Sequence, residues 1–308
     1  MSGFLIAFIV LLYTFQSFLC KKYSDNYPGD PDTASPIFTV VSGLIVAFVS
    51  LALSGFAFSA GTLTVLLALV NGIALFGYNM FLIKASQCGS YSVLMMCNLA
   101  GGIILPSLVA ILFFDDELTW VQGVSVLATF VAVYMVSLKK PEIAPESAGA
   151  GEIEAAPSAN NSSKLFPVFC LLLAICNGTY GSLLDAQQRL AGTAEREEMV
   201  ALTYIFAVLL SSIALAIQKK KAFFASFKQT KVSLIFLITC SLIVATAVNL
   251  LVYLIPLVNI TVLYTFDNAG VMLLSVILSC VFFKEKLSAV NIIGCIIMAA
   301  SFVCLSIF

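Results

Sequence analysis

The chain has 308 residues, of which 61% are hydrophobic and only 10% are charged, and its formal net charge is −1. This composition lies well outside the range of soluble domains, and the charge balance excludes a nucleic-acid partner. The nine cysteines include no CxxC pair and the chain has no histidine. We therefore expect no disulfide framework, no metal site and no cofactor. The composition indicates a membrane protein.

Ten apolar segments are long enough to cross a bilayer, for which about twenty residues suffice. Backbone polar groups cannot remain unpaired in lipid, so segments this apolar are predicted to be helices. None of them has a polar face to offer to water, which argues against a soluble helical protein. The predicted spans are residues 3–20, 37–56, 62–84, 90–114, 119–138, 165–187, 198–218, 231–253, 257–283 and 287–308.

The basic residues are distributed unevenly between the loops. Only Arg189 and Arg196 follow even-numbered spans. Cationic side chains collect on the cytoplasmic side of membrane proteins. The odd-numbered loops are therefore predicted to be cytoplasmic and both termini to lie outside, in a multi-pass protein of the cell membrane. The other thirteen of the fifteen basic residues all lie in the loops that follow odd-numbered spans: Lys21, Lys22, Lys84, Lys139, Lys140, Lys164, Lys219, Lys220, Lys221, Lys228, Lys231, Lys284 and Lys286.

The chain divides into two similar halves. Residues 1–138 and 165–308 hold five predicted spans each, and the Pro-, Ala-, Gly-, Ser- and Glu-rich stretch 139–164 is predicted to be a flexible cytosolic linker. Without a gap, residues 97–119 align on residues 266–288, and both stretches end in two phenylalanines, a charged triplet, Leu and then Thr or Ser. The sequence therefore predicts an internal repeat.

Five spans per half is an odd number, so the second half should be inverted in the membrane. The charges agree, because residues 115–117 are all acidic whereas residues 284–286 are net basic, as opposite sidedness requires. Inverted repeats place a substrate site near the bilayer midplane, between the halves. The predicted fold is thus an all-α integral membrane protein with ten transmembrane helices in two inverted five-helix repeats.

The two repeat boundaries resemble a known family. Asp116-Glu117-Leu118-Thr119 and Glu285-Lys286-Leu287-Ser288, each followed by a last helix, resemble the EamA-like branch of the drug/metabolite transporter superfamily. The resemblance covers nearly the whole chain. It implies a ten-helix secondary transporter of small organic metabolites, with both termini outside and efflux as the direction of transport.

The side chain with the highest cost of insertion is Asp267, near the middle of the ninth span. A carboxylate there costs about 2.5–3.5 kcal/mol, so it should face the bundle interior or a wet cavity. It is a candidate for binding a proton that drives transport or a substrate ammonium group, and helix packing is the alternative. Asn98 aligns directly on Asp267 when the repeat is shifted by 169 positions. The pair would bracket a central site.

Other polar residues in the middle of spans are candidates for substrate binding, although for each alone hydrogen bonding between helices is the favoured role. As a group they indicate a polar cavity, and amides and phenols can both donate and accept hydrogen bonds. On the sixth span, Ala174, Gly178 and Ser182 have the spacing of closely packed helices. The further candidates are Tyr13, Gln16, Asn71, Asn177, Tyr180, Asn249 and Asn268.

These features allow two classes of function to be compared, a membrane transporter and a membrane enzyme. A secondary transporter would move a small polar organic metabolite, such as an amino acid, by alternating access. Proton-coupled uptake of a sugar or amino acid and translocation of a lipid carrier are the alternatives. A membrane enzyme is not expected, because the chain lacks histidine and an HExxH motif. ATP-driven pumping by this chain alone is not expected either, because the chain lacks a P-loop. Expected partners are the substrate, membrane lipid and, as a candidate, protons, for a monomer or homodimer.

Overall fold

A computed structural model of the protein describes residues 2–56, 58–89, 91–114, 119–137, 142–143, 159–218, 227, 229–258, 260–282, 285–286 and 288–307. The fold of this part of the chain is all-α, and 7 of its helices are long and apolar enough to cross a membrane. The helices are α1 Ser2–Asp25, α2 Pro31–Leu53, α3 Thr62–Cys88, α4 Tyr91–Phe114, α5 Trp120–Ser137, α6 Ala159–Ala191, α7 Arg196–Gln218, α8 Lys231–Leu254, α9 Ile260–Phe282 and α10 Ala289–Ile307.

The connection between α1 and α2 is shorter than the apolar pattern predicts. α1 continues five residues beyond the predicted span, and Tyr23 in this extension is fully buried and donates a hydrogen bond to the carbonyl oxygen of Ala34 at 3.1 Å. α2 begins at Pro31, six residues early, because Asp30 caps it by accepting from the backbone N–H of Asp32. An N-cap aspartate followed by proline is a strong helix start that an apolar window does not detect.

α6 also begins early, at Ala159, inside the stretch predicted to be a linker. Residues 139–141 and 144–158 of that stretch lie outside the described residues, as do the acidic residues 115–117. Between them, Glu142–Ile143 form a short strand, β1, that pairs antiparallel with β2, Glu285–Lys286. The linker therefore contacts the connection between α9 and α10.

Helices before the linker pack mainly against helices after it. α3 contacts α6 and α7, α2 contacts α7 and α8, α1 contacts α8 and α9, and α4 contacts α6 and α9. α5 packs against α10. The principal buried apolar cluster includes residues from α1, α2, α3, α4, α6, α7, α8 and α9. Neither half could keep this packing alone, because its helices make most of their contacts with helices of the other half.

The contact between α4 and α6 is especially close. A Cβ atom at Gly101 would lie only 2.1 Å from the carbonyl oxygen of Ala174, and one at Gly178 would lie 2.5 Å from the carbonyl oxygen of Gly101. The small-residue spacing seen in the sequence thus lies at an interface within the monomer. Small side chains permit this backbone approach, and van der Waals packing is a main source of helix association in lipid.

Polar contacts join the connecting segments at one end of the bundle. Lys84 of α3 forms an ion pair with Asp32 of α2 at 3.5 Å, and Lys21 donates a hydrogen bond to the carbonyl oxygen of Ser86. Ser86 Oγ also donates to Ser24 Oγ at 3.3 Å. The connections that follow α1 and α3 therefore lie together.

A second set of contacts lies between the connections that follow α2, α6 and α8. Glu195 accepts a hydrogen bond from the backbone N–H of Gly61 at 2.9 Å, and Ser59 donates to Glu198 at 3.2 Å. The Arg196 guanidinium lies over the ring of Tyr253, 5.1 Å from its centre. These segments all meet at one end of the helices.

Candidate functional site

A buried cavity of about 100 Å³ lies among eight helices, α1 to α4 and α6 to α9. Every residue that lines it is buried or half-buried. The lining is mixed, with apolar walls and a set of hydroxyl, amide and carboxyl groups. Its polar residues are Tyr13, Gln16, Ser17, Ser42, Tyr78, Asn79, Asn98, Asn177, Tyr180, Tyr204, Tyr264, Asp267 and Asn268.

Seven of the nine residues that the sequence analysis proposed lie in this lining. Asp267 and Asn98, the two that the repeat relates, are on α9 and α4 and face the same space. Asn71 and Asn249 are not part of the lining. The seven are Tyr13, Gln16, Asn98, Asn177, Tyr180, Asp267 and Asn268.

Asp267 is the charged residue of the lining. It is only 7% exposed, and its Oδ1 atom has no hydrogen-bond partner among the described residues. No Lys or Arg occurs in the sequence between Lys231 and Lys284, and none belongs to the described lining. A buried carboxylate without a cation is costly, so a positive charge that enters the cavity would be attracted to it.

Asn98 and Asn177 join α4 to α6 beside the cavity. The Nδ2 group of Asn177 donates a hydrogen bond to the backbone carbonyl oxygen of Asn98 at 2.9 Å. This bond satisfies a carbonyl group in the middle of α4 and holds the Asn177 amide in place. The side-chain Oδ1 of Asn98 has no partner among the residues that the structure describes, so it remains available as an acceptor.

Gly102 creates room for two of the amides. A Cβ atom at this position would lie 2.8 Å from Asn177 Nδ2 and 2.8 Å from Asn268 Oδ1. Asn268 in turn donates from Nδ2 to the carbonyl oxygen of Tyr264 at 2.7 Å. The absence of a side chain at Gly102 thus lets α4 approach the amides of α6 and α9.

Tyr13, Gln16 and Tyr180 line the cavity from α1 and α6. Gln16 is 9% exposed, and its Oε1 acceptor has no partner in the described part of the chain. The cavity thus has three buried acceptors without a donor among the described residues, namely Gln16 Oε1, Asn98 Oδ1 and Asp267 Oδ1. Such atoms are rare in folded proteins, and a ligand or water at the site would satisfy them.

Asn249 and Asn71 have different surroundings. Asn249 donates from Nδ2 to Ser50 Oγ at 2.9 Å and to the carbonyl oxygen of Ala245 at 2.8 Å, which ties α8 to α2. Asn71 is fully buried in α3, beside Gly72, whose Cβ would meet Phe206 of α7 at 2.5 Å. Asn249 therefore lies at a helix–helix contact, whereas the amide of Asn71 is buried with no hydrogen-bond partner among the described residues.

Several lining residues were not proposed from the sequence. Tyr264 lies three residues before Asp267, about one helical turn, and its hydroxyl donates to the carbonyl oxygen of Gly181 at 3.3 Å. Asn79 lies eight residues after Asn71 on α3. Tyr264 could have been predicted from its helical spacing to Asp267. Asn79 could not, because the residue proposed on the same helix, Asn71, does not line the cavity. The missed polar residues are Ser17, Ser42, Tyr78, Asn79, Tyr204 and Tyr264.

Among the described residues, no group of three or more His, Cys, Asp or Glu side chains is placed to hold a metal ion. The nine cysteines are all free. What the cavity offers chemically is a single carboxylate, hydrogen-bonding amides and hydroxyls, and aromatic rings. This inventory suits reversible binding of a small polar molecule.

No protein-family model matches the sequence, and no curated protein matches it. The fold does resemble solved structures. One crystal structure of another protein is 17% identical to this chain with a TM-score of 0.61, and the match covers 98% of this chain and 96% of that chain. At this level of identity the likeness shows a shared fold over almost the entire length.

Proposed function

We propose that this protein is a secondary active transporter that moves a small polar organic metabolite across the cell membrane by alternating access. The observation that carries the proposal is the buried polar cavity around Asp267 and Asn98. It lies among helices from both sides of the linker, which is where transporters with repeated halves bind their substrates. We propose no enzymatic activity and no cofactor.

The proposed topology has all ten helices crossing the membrane, with odd-numbered connections in the cytosol and both termini outside. Two groups of contacts support it. Connections after α1 and α3 contact each other, as do those after α5 and α9 through β1 and β2. Connections after α2, α6 and α8 form a separate group. An alternating path of the chain through the membrane would produce this grouping.

The proposed repeat of residues 1–138 and 165–308 is supported by the pattern of helix contacts. The pseudo-symmetry would exchange α1 with α6, α2 with α7, and so on to α5 with α10. Under this exchange the α3–α6 contact becomes α8–α1, α4–α6 becomes α9–α1, and α3–α7 becomes α8–α2. All three exchanged contacts are present. The α2–α7, α4–α9 and α5–α10 contacts are each unchanged by the exchange. A pseudo-twofold axis relating the halves would give such symmetry.

The resemblance to EamA-like members of the drug/metabolite transporter superfamily belongs to the same proposal, and efflux as the direction comes from that resemblance alone. Proton-coupled uptake of a sugar or amino acid, with Asp267 as the proton site, is the first alternative. A lipid-carrier translocase is the second, and the buried lining favours a water-soluble solute instead. We propose a monomer or homodimer in contact with membrane lipid.

The test begins with purified protein and a thermal-stability screen against amino acids, sugars, nucleosides and amines. A ligand that binds the folded state stabilises it in proportion to the logarithm of its concentration over its dissociation constant. The stabilising compound is then used in a counterflow assay, in which protein in liposomes exchanges labelled for unlabelled solute. We expect exchange that saturates with concentration, and liposomes without protein are the control.

Exchange by an Asp267→Asn variant at the wild-type rate, together with undiminished transport in a proton gradient, would exclude Asp267 as a coupling site. If none of the compounds that bind is exchanged in a saturable way, the transporter proposal itself is contradicted. The variant keeps the size and shape of the side chain, so its folding can be checked by the same thermal measurement.

A further inference from the structure

We propose that the cavity is selective for a small organic cation, an ammonium compound with an uncharged body, over zwitterions, anions and neutral solutes. This inference deepens the proposed function, on which it rests, by naming the substrate class. The sequence made a substrate ammonium group one candidate ligand of Asp267 and left amino acids and sugars open, whereas the cavity distinguishes between them. The argument depends on three properties of the lining, namely its charge, its aromatic rings and its acceptor atoms.

The described lining holds one acidic side chain and no basic one, so it is negative when that acid is ionised. Asp267 is the charged residue among the described lining residues, and the chain offers no histidine and no Lys or Arg in the middle of its helices. A protein cation therefore does not balance the carboxylate. A bound amino acid would place its own carboxylate in this space with no cation beside it, whereas an ammonium ion would leave the site neutral.

Five tyrosines surround the same space. Tyr13, Tyr78, Tyr180, Tyr204 and Tyr264 come from five different helices, so the rings approach the cavity from different sides. Tyr264 lies about one helical turn before Asp267 on α9, and the other four tyrosines line the same cavity as this carboxyl group. Aromatic faces attract cations, and an aromatic cage that includes a carboxylate is the arrangement that recognises quaternary ammonium groups.

The remaining polar atoms suit a ligand that donates hydrogen bonds. Oδ1 of Asp267, Oε1 of Gln16 and Oδ1 of Asn98 are buried acceptors without partners among the described residues. The cavity volume of about 100 Å³ is small beside the roughly 300–1,000 Å³ of pockets for drug-sized ligands. A compact ammonium ion with a hydroxyl group would match the size, and its hydroxyl would donate to one of these acceptors.

Three probes of nearly equal shape separate charge from size. Choline carries one positive charge, 3,3-dimethylbutan-1-ol replaces its nitrogen with carbon and is neutral, and betaine keeps the trimethylammonium group but has a carboxylate in place of the hydroxymethyl group. Their dissociation constants are measured by titration calorimetry on the purified wild-type protein. We expect choline to bind at least about tenfold more tightly than either of the other two, since only choline gains the carboxylate and the ring faces without an uncompensated charge.

Variants then assign the selectivity to named residues. Asp267→Asn should weaken choline binding about tenfold or more and leave binding of the neutral alcohol unchanged. Glu198→Gln is the matched control, because it also removes a buried carboxylate, 3% exposed, but lies outside the lining. Tyr13→Phe keeps the aromatic face and should retain choline binding, whereas Tyr13→Leu should weaken it several-fold.

The outcomes for this inference and for the transporter proposal are distinct. If choline binds no better than its neutral and zwitterionic counterparts, or if Asp267→Asn and Glu198→Gln affect it equally, the cation site is refuted. Counterflow of another solute would then still uphold the transporter. If choline binds as expected but wild-type protein in liposomes exchanges neither choline nor any other compound that binds, the cation site stands and the transporter proposal fails.

Discussion

Substitution of Gly101 by alanine tests whether the close contact of α4 with α6 stabilises the protein. The new Cβ atom would lie 2.1 Å from the carbonyl oxygen of Ala174 and 2.5 Å from that residue's Cα and carbonyl carbon. All three are backbone atoms of α6, so no side-chain rotation can relieve the overlap. To restore ordinary contact at 3.4 Å, the helices would have to separate by about 1.3 Å.

The expected cost follows from the packing that this separation removes. Inserting a methyl group into a well-packed core costs about 1–3 kcal/mol, and a rigid backbone neighbour favours the upper part of this range. Separation would also weaken the Asn177–Asn98 hydrogen bond beside the contact. Lipid adds no compensating hydrophobic term, because its chains are as apolar as the side chains. We therefore expect Gly101→Ala to lower the free energy of unfolding by about 3 kcal/mol.

The free energy of unfolding is measured by titrating the protein in mixed micelles with a denaturing detergent. Gly181→Ala on α6 is the matched control, because its Cβ would meet Tyr264 and Pro106 at ordinary distances of 3.5 and 3.7 Å. It should be neutral or slightly stabilising, since alanine favours a helix by roughly 1 kcal/mol over glycine. Equal unfolding curves for the two variants would refute the idea that close packing at Gly101 holds the helices together.

Three further predictions concern the cavity, a helix contact and the topology. Gly102→Ala should weaken ligand binding with a smaller loss of stability than Gly101→Ala, because its Cβ meets side chains that can move. Equal effects of the two substitutions on the free energy of unfolding would contradict this prediction. Asn249→Ala should lower the free energy of unfolding by about 0.6 kcal/mol through loss of the bond to Ser50, with ligand affinity unchanged in calorimetry. Reporters fused to either terminus should both be found outside the cell, and detection on opposite faces would overturn the inverted repeat.

The sequence predicted the helices well and their ends less well. An apolar run of about twenty residues indicates a helix because lipid offers no other partner for its backbone. Helix ends depend instead on particular residues. The Asp30 cap begins α2 at Pro31, and the buried Tyr23 extends α1 beyond its apolar part, although neither residue is strongly apolar. The start of α6 at Ala159 lies in a polar stretch where hydropathy gives no signal.

A polar residue in the middle of a predicted span usually lines the cavity, but its polarity alone does not show what role it has. Asp267, Asn98 and Gln16 line the cavity, whereas Asn249 makes a contact between α8 and α2. Asn98 and Asn249 are the same residue type, and only the direction of the side chain in the packed bundle separates their roles. The tyrosines were mostly missed because a tyrosine in an apolar helix is also an ordinary packing residue.

Gly101 and Gly102 show how packing and cavity are built by one turn of α4. Successive helical residues point about 100° apart, since a turn contains 3.6 residues. Gly101 is directed at the backbone of α6 and brings the two helices together, while Gly102 is directed at Asn177 and Asn268 and leaves space for their amides. The same approach that packs α4 on α6 therefore positions polar groups from α6 and α9 around the carboxylate of Asp267. A protein that must hold a charged residue inside a membrane gains from this arrangement, because van der Waals contact supplies the stability that a polar cavity cannot provide.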